Sequence, residues 1–348
     1  MPNIWTLIPG RAKFRHTMTD SARTLAGALL QGDRRALARA ITLVESGRED
    51  HRERAEELLD AVAESGRQSL RIGLSGTPGA GKSTFIEAFG CMLTGQGMRV
   101  AVLAVDPSSV RSGGSILGDK TRMERLSREP GAFIRPSPSQ SHLGGTAQRS
   151  KDAVALCEAT GFDVVMIETV GVGQSETAVA DMSDIFVLLI APGGGDELQG
   201  VKRGIMEIAD LILVNKADGD LKPAAGRTVA DYSGALRLLR QRKGDPRDFP
   251  KAMPVSALEE TGLRAAWDEI TALAEFRKAS GFWDERRSEQ ACRWFENEVR
   301  LGLLRHFETD RKSERAMQAL RCAVAEGTRA PGAAAREILS RLGRAAGS

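Results

Sequence analysis

The sequence predicts an α/β protein in which helices cover both faces of a mostly parallel sheet. Short apolar, β-branched runs alternate with helical stretches between residues 69 and 280. Such near-continuous apolar strands are typical of parallel sheets, whose strands are buried on both faces. Both ends of the chain carry apolar residues at helical spacing instead, so we expect helical extensions on either side of a three-layer domain.

Six segments are predicted to be the strands of this sheet, and each is a short apolar run. They are residues 71–76, 100–106, 163–169, 184–191, 211–216 and 252–256. Ligands of open α/β sheets bind at the carboxyl ends of the strands. The residues that follow these segments are therefore the first candidates for a functional site.

The pattern divides the chain into four predicted parts. They are a tail expected to be disordered (1–18), an N-terminal helical extension (19–68), the α/β domain (69–280) and a C-terminal helical arm (281–348). Met18 is an alternative start of the protein, because the helical pattern begins just after it. Asp33 is placed to cap the second helix of the extension. The first helix of the arm carries Trp294, Phe295 and Leu301, which either pack on the α/β domain or pair with a second copy.

Composition narrows the classes of function. The 348 residues include 49 basic and 46 acidic side chains, a formal net charge of +3, and only 5% aromatic residues. This balance argues against a nucleic-acid binder or a membrane-surface binder. The four cysteines are scattered without metal-ligand spacing, which favours reduced thiols in the cytoplasm.

A glycine-rich loop after the first predicted strand has the pattern of a phosphate-binding P-loop. It consists of Gly76, Thr77, Pro78, Gly79, Ala80, Gly81, Lys82, Ser83 and Thr84, and it opens a predicted helix. Glycines allow the backbone to wrap closely around a phosphate, so that successive N–H groups and the helix N-terminus face its oxygens. Lys82 is expected between the β- and γ-phosphates, and the Ser83 hydroxyl is expected on Mg²⁺.

A second motif predicts which base the nucleotide carries. Asn215, Lys216 and Asp218 form an NKxD pattern directly after a predicted strand. The Asp218 carboxylate can accept hydrogen bonds from N1–H and the 2-amino group of guanine, whereas adenine has an acceptor at N1 and lacks that amino group. Lys216 is expected to pack its stem on the base, so GTP or GDP is the predicted ligand. The loop expected to offer backbone N–H groups to guanine O6 consists of Ser256, Ala257 and Leu258.

Four oxygen-bearing side chains are predicted on the Mg²⁺ side of the phosphates. They are Ser83, Asp106, Asp119 and Glu168. Carboxylate oxygens are usual ligands of Mg²⁺, and Asp106 and Glu168 stand at the ends of predicted strands. A turn cap before Pro107 remains an alternative role for Asp106, and a solvated loop position remains one for Asp119.

The residues after Glu168 predict slow intrinsic hydrolysis of GTP. Gly171 is placed for its N–H to sense the γ-phosphate, but Val172 follows it, where many GTPases have a glutamine that orients water. Gln174 comes two places later. We expect a rate that rises when a partner completes the site. The predicted catalytic residues are Lys82, Asp106, Asp119, Glu168 and Gly171.

These motifs resemble those of the MeaB/ArgK-type P-loop GTPases, the methylmalonyl-CoA mutase-associated G-protein chaperones related to the human protein of the cobalamin A type disorder. The resemblance covers about residues 20–310. The segments that carry it are 76–84, 105–109, 113–123, 135–139, 167–176, 192–210 and 215–218. The sequence departs from the family pattern at residues 140–145, where the family usually has a short Gly-Thr-Leu-Gly-Gly-type segment, and again beyond about residue 310.

The resemblance implies a three-layer P-loop GTPase domain whose C-terminal helical arm mediates homodimerisation. It implies Mg²⁺ together with GTP or GDP. The implied function is to gate the loading of adenosylcobalamin onto an acyl-CoA mutase and to protect or reactivate that enzyme, with the adenosyltransferase as a possible further partner.

The resemblance also implies a third switch loop that couples the nucleotide state to the mutase. Its residues are Gly195, Asp196, Glu197, Leu198, Gln199, Lys202 and Arg203. From the residues alone, the same loop is a glycine-rich turn between a strand and a helix, with Asp196 as the helix cap.

Two other functions stay open at this point. One is a GTPase that matures a nickel enzyme, and the scattered cysteine and histidine residues speak against it. The other is a nucleotide-dependent kinase linked to arginine or ornithine transport. A kinase needs a base for the acceptor hydroxyl, and no such base is identified beyond the acids predicted near Mg²⁺.

Overall fold

The structure is a computed structural model that describes residues 19–46, 48–105, 123–136, 146–169, 175–193, 203–309 and 311–345. Three helices open the chain: α1 (Asp20–Leu30), α2 (Arg34–Glu45) and α3 (Glu49–Ala63). The Asp33 carboxylate accepts hydrogen bonds from the backbone N–H groups of Arg35 (2.7 Å) and Ala36 (3.2 Å). This confirms the predicted cap, which satisfies donors that have no intrahelical partner.

A seven-stranded sheet lies at the centre of the fold. Its strands are β1 (Leu70–Gly76), β2 (Val100–Val105), β3 (Ala132–Arg135), β4 (Val164–Thr169), β5 (Ile185–Ile190), β6 (Leu211–Val214) and β7 (Lys251–Pro254). They lie in the order β3-β2-β4-β1-β5-β6-β7, and every neighbouring pair is parallel. The α/β class with a mostly parallel sheet is thereby confirmed.

Two strands differ from the sequence prediction. β3 was not predicted, because its short sequence Ala-Phe-Ile-Arg ends in a charged residue and gives no apolar run like that of the equally short β6. β7 was predicted as a buried strand, and this was wrong: its residues are half-buried or exposed. The reason is that, among the described strands, β7 pairs with β6 alone and forms one edge of the sheet.

Helices connect the strands and cover the sheet. They are α4 (Lys82–Gly95), α5 (Glu124–Arg128), α6 (Thr146–Thr160), α7 (Ser175–Ala180), α8 (Arg203–Ile208), α9 (Lys222–Arg237) and α10 (Leu263–Ala279). Phe85 and Phe89 of α4 stack with their ring centroids 5.1 Å apart, and Trp267 of α10 meets Phe89 edge-on at 6.0 Å. These rings belong to the same buried cluster as the sheet residues Leu74 and Val187.

Helix α7 lies directly against the central strand β1. A Cβ atom at Gly73 would stand 2.1 Å from Ser183 Oγ and 3.0 Å from Val179 Cγ1. Such distances leave no room for any side chain. The glycine therefore allows the short helix that follows β4 to approach the strand that leads into the P-loop.

An aspartate precedes each of three strands, and its carboxylate accepts a backbone hydrogen bond at the amino-terminal edge of the sheet. Asp163 accepts a hydrogen bond from the Arg99 N–H (2.7 Å), and Asp184 accepts one from the Arg71 N–H (2.8 Å). Asp210, in front of β6, likewise accepts from the N–H of a residue in β5 (2.8 Å). Each carboxylate thus satisfies a backbone donor of a neighbouring strand or of the turn before it.

Buried arginines neutralise this acidic edge. Arg277 of α10 is 1% exposed and bonds Asp210 (2.6 Å) and Asp245 (2.7 Å). Burial raises the pKa of Asp210, but the charge and hydrogen bonds of Arg277 outweigh it and leave the pKa below its ordinary value. Arg71 pairs with Glu158 in the same way (2.6 Å).

The last three helices are α11 (Phe282–Thr309), α12 (Arg311–Ala325) and α13 (Pro331–Ala345). The contact pattern divides the chain into a unit that ends at Arg287 and a second unit from Ser288 onward. On α11, Phe295, Val299 and Leu303 are 69%, 48% and 55% exposed. Their spacing of four residues places them on one face of the helix.

Among the described helices, none is both long enough and apolar enough to cross a lipid bilayer.

Candidate nucleotide-binding site

The carboxyl ends of the strands bring the predicted motifs together at one edge of the sheet. Because all strands are parallel, β1 ends at the P-loop, β4 ends at Thr169 and β6 ends just before Asn215 on this same edge. The strand order reverses around β1, which has β4 on one side and β5 on the other. This is the position at which open α/β sheets bind ligands.

The P-loop has the backbone conformation that a phosphate cradle needs. Gly79 (φ 79°) and Gly81 (φ 82°) are left-handed, and the Ala80 N–H donates to the Thr77 carbonyl at 3.1 Å. Gly81 is also the N-cap of α4, so the first N–H groups of this helix have no intrahelical acceptor. The loop therefore presents backbone donors and a helix N-terminus together.

Asn215 joins the predicted base-reading motif to the P-loop. Its side-chain Nδ2 donates to the Ala80 carbonyl at 2.8 Å, and its Oδ1 accepts from the Ala257 N–H at 3.0 Å. A Cβ atom at Gly81 would lie only 2.8 Å from Asn215 Nδ2. One buried side chain thus holds the P-loop, the NKxD segment and the predicted guanine loop in a fixed arrangement.

Lys216 turns the chain between Asn215 and Asp218. Its φ of 58° is left-handed, which is uncommon for a residue with a Cβ and costs about 1–3 kcal/mol. The turn allows the Ala217 N–H to donate to the Val255 carbonyl at 3.0 Å. It also brings the Lys216 stem toward the P-loop, with Cε 3.9 Å from the position of a Cβ on Gly81.

Asp218 is oriented by a hydroxyl from the opposite loop. The Ser256 Oγ donates to its carboxylate and accepts a hydrogen bond from the Glu259 N–H at 3.0 Å. The predicted guanine acceptor is therefore held by the same loop that was predicted to contact O6.

The three backbone donors of that loop are not equivalent. The Ser256 N–H donates to the Thr261 carbonyl (2.9 Å), and the Ala257 N–H is used by Asn215. Within the described residues, the Leu258 N–H has no hydrogen-bond acceptor. Of the three predicted contacts to O6, the geometry leaves Leu258 as the available donor.

Lys82 lies in a partly buried, acidic environment. Its ammonium donates to the Gly76 carbonyl at 2.9 Å. Burial lowers the pKa of Lys82, and the carboxylates of Glu168 and Glu176 act in the opposite direction. Both acids are buried, with 6% and 4% of their surface exposed. Below them, Thr169 Oγ1 donates to Ser75 Oγ (3.1 Å) and links the ends of β4 and β1.

Comparison with known families identifies the chain. The family model described as "Methylmalonyl Co-A mutase-associated GTPase MeaB" matches residues 37–312. The chain belongs to the MeaB family. It is a P-loop GTPase, as the nucleotide motifs of the sequence predicted.

Individual proteins of similar sequence and structure agree with this assignment to the MeaB family. A putative GTPase of Caulobacter vibrioides is 52% identical over 92% of this chain and 97% of its own length. A Mus musculus protein named methylmalonic aciduria type A homolog, mitochondrial, is 49% identical over 89% of this chain and 77% of its own length. A crystal structure titled LAO/AO transport system kinase superposes with a TM-score of 0.72 at 38% identity, covering 92% and 97% of the two chains.

The described part of this MeaB-family site fits Mg²⁺ together with a nucleotide. The donor set has an anionic oxygen on Glu168 and a hydroxyl on Ser83 in the first turn of α4, and hard oxygen ligands are what Mg²⁺ takes. Both stand beside a loop whose left-handed glycines form a phosphate cradle. A bound Mg²⁺ would neutralise charge on the phosphates.

Several predicted residues lie outside the described residues. They are Asp106, Asp119, Gly171, Gly195, Asp196, Glu197, Leu198, Gln199 and Lys202. Arg203 is the first residue of α8. Their predicted roles stay predictions.

Glu176 is the site residue that sequence reasoning missed. It stood out only as part of a family motif, because it lies eight positions after Glu168 and nothing in the spacing shows that both acids are buried. The available signal was the acid at the start of a helix that follows a strand of the site.

Proposed function

We propose that this protein is a GTP-binding and GTP-hydrolysing chaperone for an adenosylcobalamin-dependent acyl-CoA mutase of the methylmalonyl-CoA mutase type. In this role it gates the loading of the cofactor onto the mutase and protects or reactivates that enzyme. The observation that carries the proposal is the match of residues 37–312 to a family described as mutase-associated. The mouse relative, named for methylmalonic aciduria, supports it.

The geometry supports a nucleotide-controlled function. Asn215 ties the P-loop to the guanine side of the site, so phosphates and base are read by one connected unit. We include Mg²⁺, held by Ser83, Asp106, Asp119 and Glu168, in the proposal. The loop from Gly195 to Arg203 is proposed as the switch that reports the nucleotide state to the mutase, and the adenosyltransferase as a further possible partner.

The domain organisation and location are also part of the proposal. The helical extension (19–68) and the GTPase domain (69–280) precede a helical arm (281–348). We place the protein in the cytoplasm because its four cysteines are scattered along the chain, as is usual for reduced thiols.

The decisive experiment measures GTP hydrolysis with and without a purified methylmalonyl-CoA mutase. We expect slow hydrolysis by the protein alone, because Val172 stands where many GTPases have the water-orienting glutamine, and a clear stimulation by the mutase. Lys82→Ala should abolish both rates. Absence of both stimulation and a complex would remove the mutase as client, and a fast single-turnover rate for the isolated protein would contradict the expected dependence on a partner.

Homodimerisation through the arm is proposed from the apolar stripe Phe295, Val299 and Leu303. Size-exclusion chromatography with light scattering should give a dimer for the wild type and a monomer for Phe295→Glu combined with Leu303→Glu. The matched control is Leu238→Glu, since Leu238 is 88% exposed outside the stripe. A dimer that survives the double change would exclude this surface.

A kinase is the second candidate, because the similar crystal structure is that of a protein described as a LAO/AO transport system kinase. It predicts transfer of the γ-phosphate to an amino-acid-binding protein of a transport system, whereas a GTPase releases inorganic phosphate. Labelled GTP and ATP, incubated with such a protein, distinguish the two: label on the protein supports the kinase, and free phosphate alone excludes it.

A further inference from the structure

The predicted guanine loop continues to Thr261 and is closed by backbone hydrogen bonds. The Ser256 N–H donates to the Thr261 carbonyl at 2.9 Å, and the Thr261 N–H donates back to the Ser256 carbonyl at 3.1 Å. Between these two residues the chain turns, and Glu260 has a left-handed φ of 54°. This conformation is uncommon for a residue with a Cβ, and strained residues of this kind cluster at ligand sites.

Glu260 is joined by its side chain to the short helix α5. Arg125 Nη1 lies 2.7 Å from Glu260 Oε1, although the two residues are 135 positions apart in the chain. The side chains are 63% and 48% exposed, so water weakens the attraction between the charges. How well the ion pair holds the loop therefore depends on how firmly α5 itself is held.

Helix α5 is packed directly on α4, the helix that follows the P-loop. Leu126 of α5 is fully buried, and a Cβ atom at Gly90 of α4 would stand only 2.6 Å from Leu126 Cδ2. The Arg125 N–H is too near the start of its helix to have an intrahelical acceptor, and it donates to Glu87 Oε1 of α4 at 2.7 Å. Arg125 thus contacts α4 through its backbone and the guanine loop through its side chain.

The guanine loop is therefore held at two points, one on each side of Leu258. Asn215 accepts from the Ala257 N–H and joins this residue to the P-loop. Arg125 pairs with Glu260, two residues beyond Leu258. The Leu258 N–H lies between these contacts and has no acceptor among the described residues. Its position depends on both contacts.

We propose that Arg125 is a positioning residue for the guanine base. Its ion pair with Glu260 holds the loop so that the Leu258 N–H meets O6 of the base. A glycine in place of Glu260 would relieve the left-handed strain but would lose the pair with Arg125. The proposal rests on the proposed function, in which this loop contacts guanine, and adds a residue that sets the geometry of that contact.

The test is a double-mutant cycle in the full-length protein. Arg125→Gln and Glu260→Gln each remove one charge and keep a long polar side chain, and the third variant combines them. The matched control is Arg264→Gln, because Arg264 pairs with Asp268 at 3.0 Å and these side chains are 65% and 60% exposed. That pair lies within α10, outside the guanine loop.

Two nucleotides separate a contact to O6 from a general loss of binding. GDP carries O6, whereas 2-aminopurine riboside diphosphate has a hydrogen at that position and is fluorescent. We expect each single variant to raise the Kd for GDP by about 2- to 5-fold, the range that exposed ion pairs reach. The combined variant should lose no more than either single variant, and the Kd for the aminopurine nucleotide should stay at the wild-type value.

The proposal is overturned by an unchanged Kd for GDP in either single variant, or by losses that add in the combined variant. An equal loss for both nucleotides also overturns it, since that result assigns the pair a merely structural role. So does a loss for GDP as large in the Arg264→Gln control. Melting temperatures of the nucleotide-free variants should match that of the control.

The wild type distinguishes this proposal from the proposed function. If the wild type binds GDP no better than ADP, the reading of guanine fails and the role of Arg125 fails with it. If the wild type prefers GDP and the variants bind GDP as well as it does, only the role of Arg125 is removed.

Discussion

At the scale of single residues, the Asp218 carboxylate is held in place by a neighbour that is distant in sequence. Ser256 donates to its carboxylate from across the loop, and the left-handed Lys216 turns the chain that carries it. The proposed preference for guanine therefore depends on a carboxylate that a hydrogen bond holds in place.

Asp218→Asn should change the base that the protein prefers. The amide replaces an acceptor by a donor toward the 2-amino group of guanine, so the affinity for GTP should fall by about 10- to 100-fold, or about 1.5–3 kcal/mol. Xanthosine triphosphate, which has an oxygen at position 2, should gain affinity. Competition against a fluorescent GDP analogue measures both. Unchanged selectivity would show that Asp218 does not contact the base.

The P-loop and the NKxD segment could be predicted from the sequence, because the residues of each motif are consecutive and one tight turn fixes their geometry. The roles of the individual residues in these motifs stay predictions. The burial of Glu176 and the use of the Ala257 N–H by Asn215 could not be predicted. Both depend on elements that meet only in the folded sheet.

At the scale of elements, the P-loop contains two left-handed glycines with different surroundings. A methyl group on Gly79 would meet no atom within 4 Å, whereas a methyl group on Gly81 would lie 2.8 Å from Asn215 Nδ2. A substitution at Gly79 therefore tests backbone strain alone, whereas the same substitution at Gly81 adds a steric clash with Asn215.

Gly81→Ala should destabilise the nucleotide-free protein more than Gly79→Ala does. Both add strain of about 1 kcal/mol at a positive φ, but the Gly81 change also displaces Asn215 and the hydrogen bonds it makes, each worth about 0.5–1.5 kcal/mol. Urea unfolding without nucleotide gives the two free energies. Equal losses would mean that Asn215 adapts freely to the added methyl group.

The strands show what pattern alone can predict about elements. Long apolar runs such as β4 and β5 were predicted because burial on both faces leaves a continuous apolar signal. β3, whose residues are Ala-Phe-Ile-Arg, gives no such signal, and the exposure of β7 depends on its place at the edge of the sheet. The order of the strands in the sheet cannot be predicted from the sequence of any single segment.

At the scale of the whole molecule, the two edges of the sheet have different tasks. The carboxyl edge carries the candidate nucleotide site, and buried ion pairs around Asp210, Asp184 and Glu158 lie at the amino edge. These pairs could not be predicted from the sequence, because Arg277 and Arg287 reach the edge from helices that are distant along the chain.

Arg277→Met should cost about 3–5 kcal/mol of unfolding free energy, since it removes the buried partner that bonds Asp210 at 2.6 Å and Asp245 at 2.7 Å and leaves them with the less buried Arg242. Arg264→Met is the control, because the Arg264–Asp268 pair is exposed and such pairs contribute about 0–1 kcal/mol. Chemical denaturation measures both. Similar losses for the two variants would contradict a stabilising role of the buried cluster.

Asp210 also predicts how stability depends on pH. Its folded-state pKa is below the ordinary value, so its contribution is present above about pH 4 and is lost as the pH falls through the folded pKa. The stability of the wild type should therefore fall more steeply below about pH 4 than above it. Unfolding curves recorded between neutral and acid pH measure this. Asp210→Asn should flatten the dependence, and an identical slope in the variant would assign it to other acids.

The contacts of Arg287 determine where the chain can be truncated. Arg287 bonds Asp184 at 2.6 Å and donates to the Ser69 carbonyl at 2.6 Å, and its guanidinium lies over the ring of Trp283 at 4.6 Å. A truncation after residue 280 would remove this clasp and leave the aspartate in front of β5 without its arginine. An isolated nucleotide-binding fragment should therefore be cut no earlier than the second turn of α11. Two fragments, one ending before Arg287 and one ending after it, should differ in yield and melting temperature. The difference measures how much the first turns of α11 stabilise the preceding α/β domain.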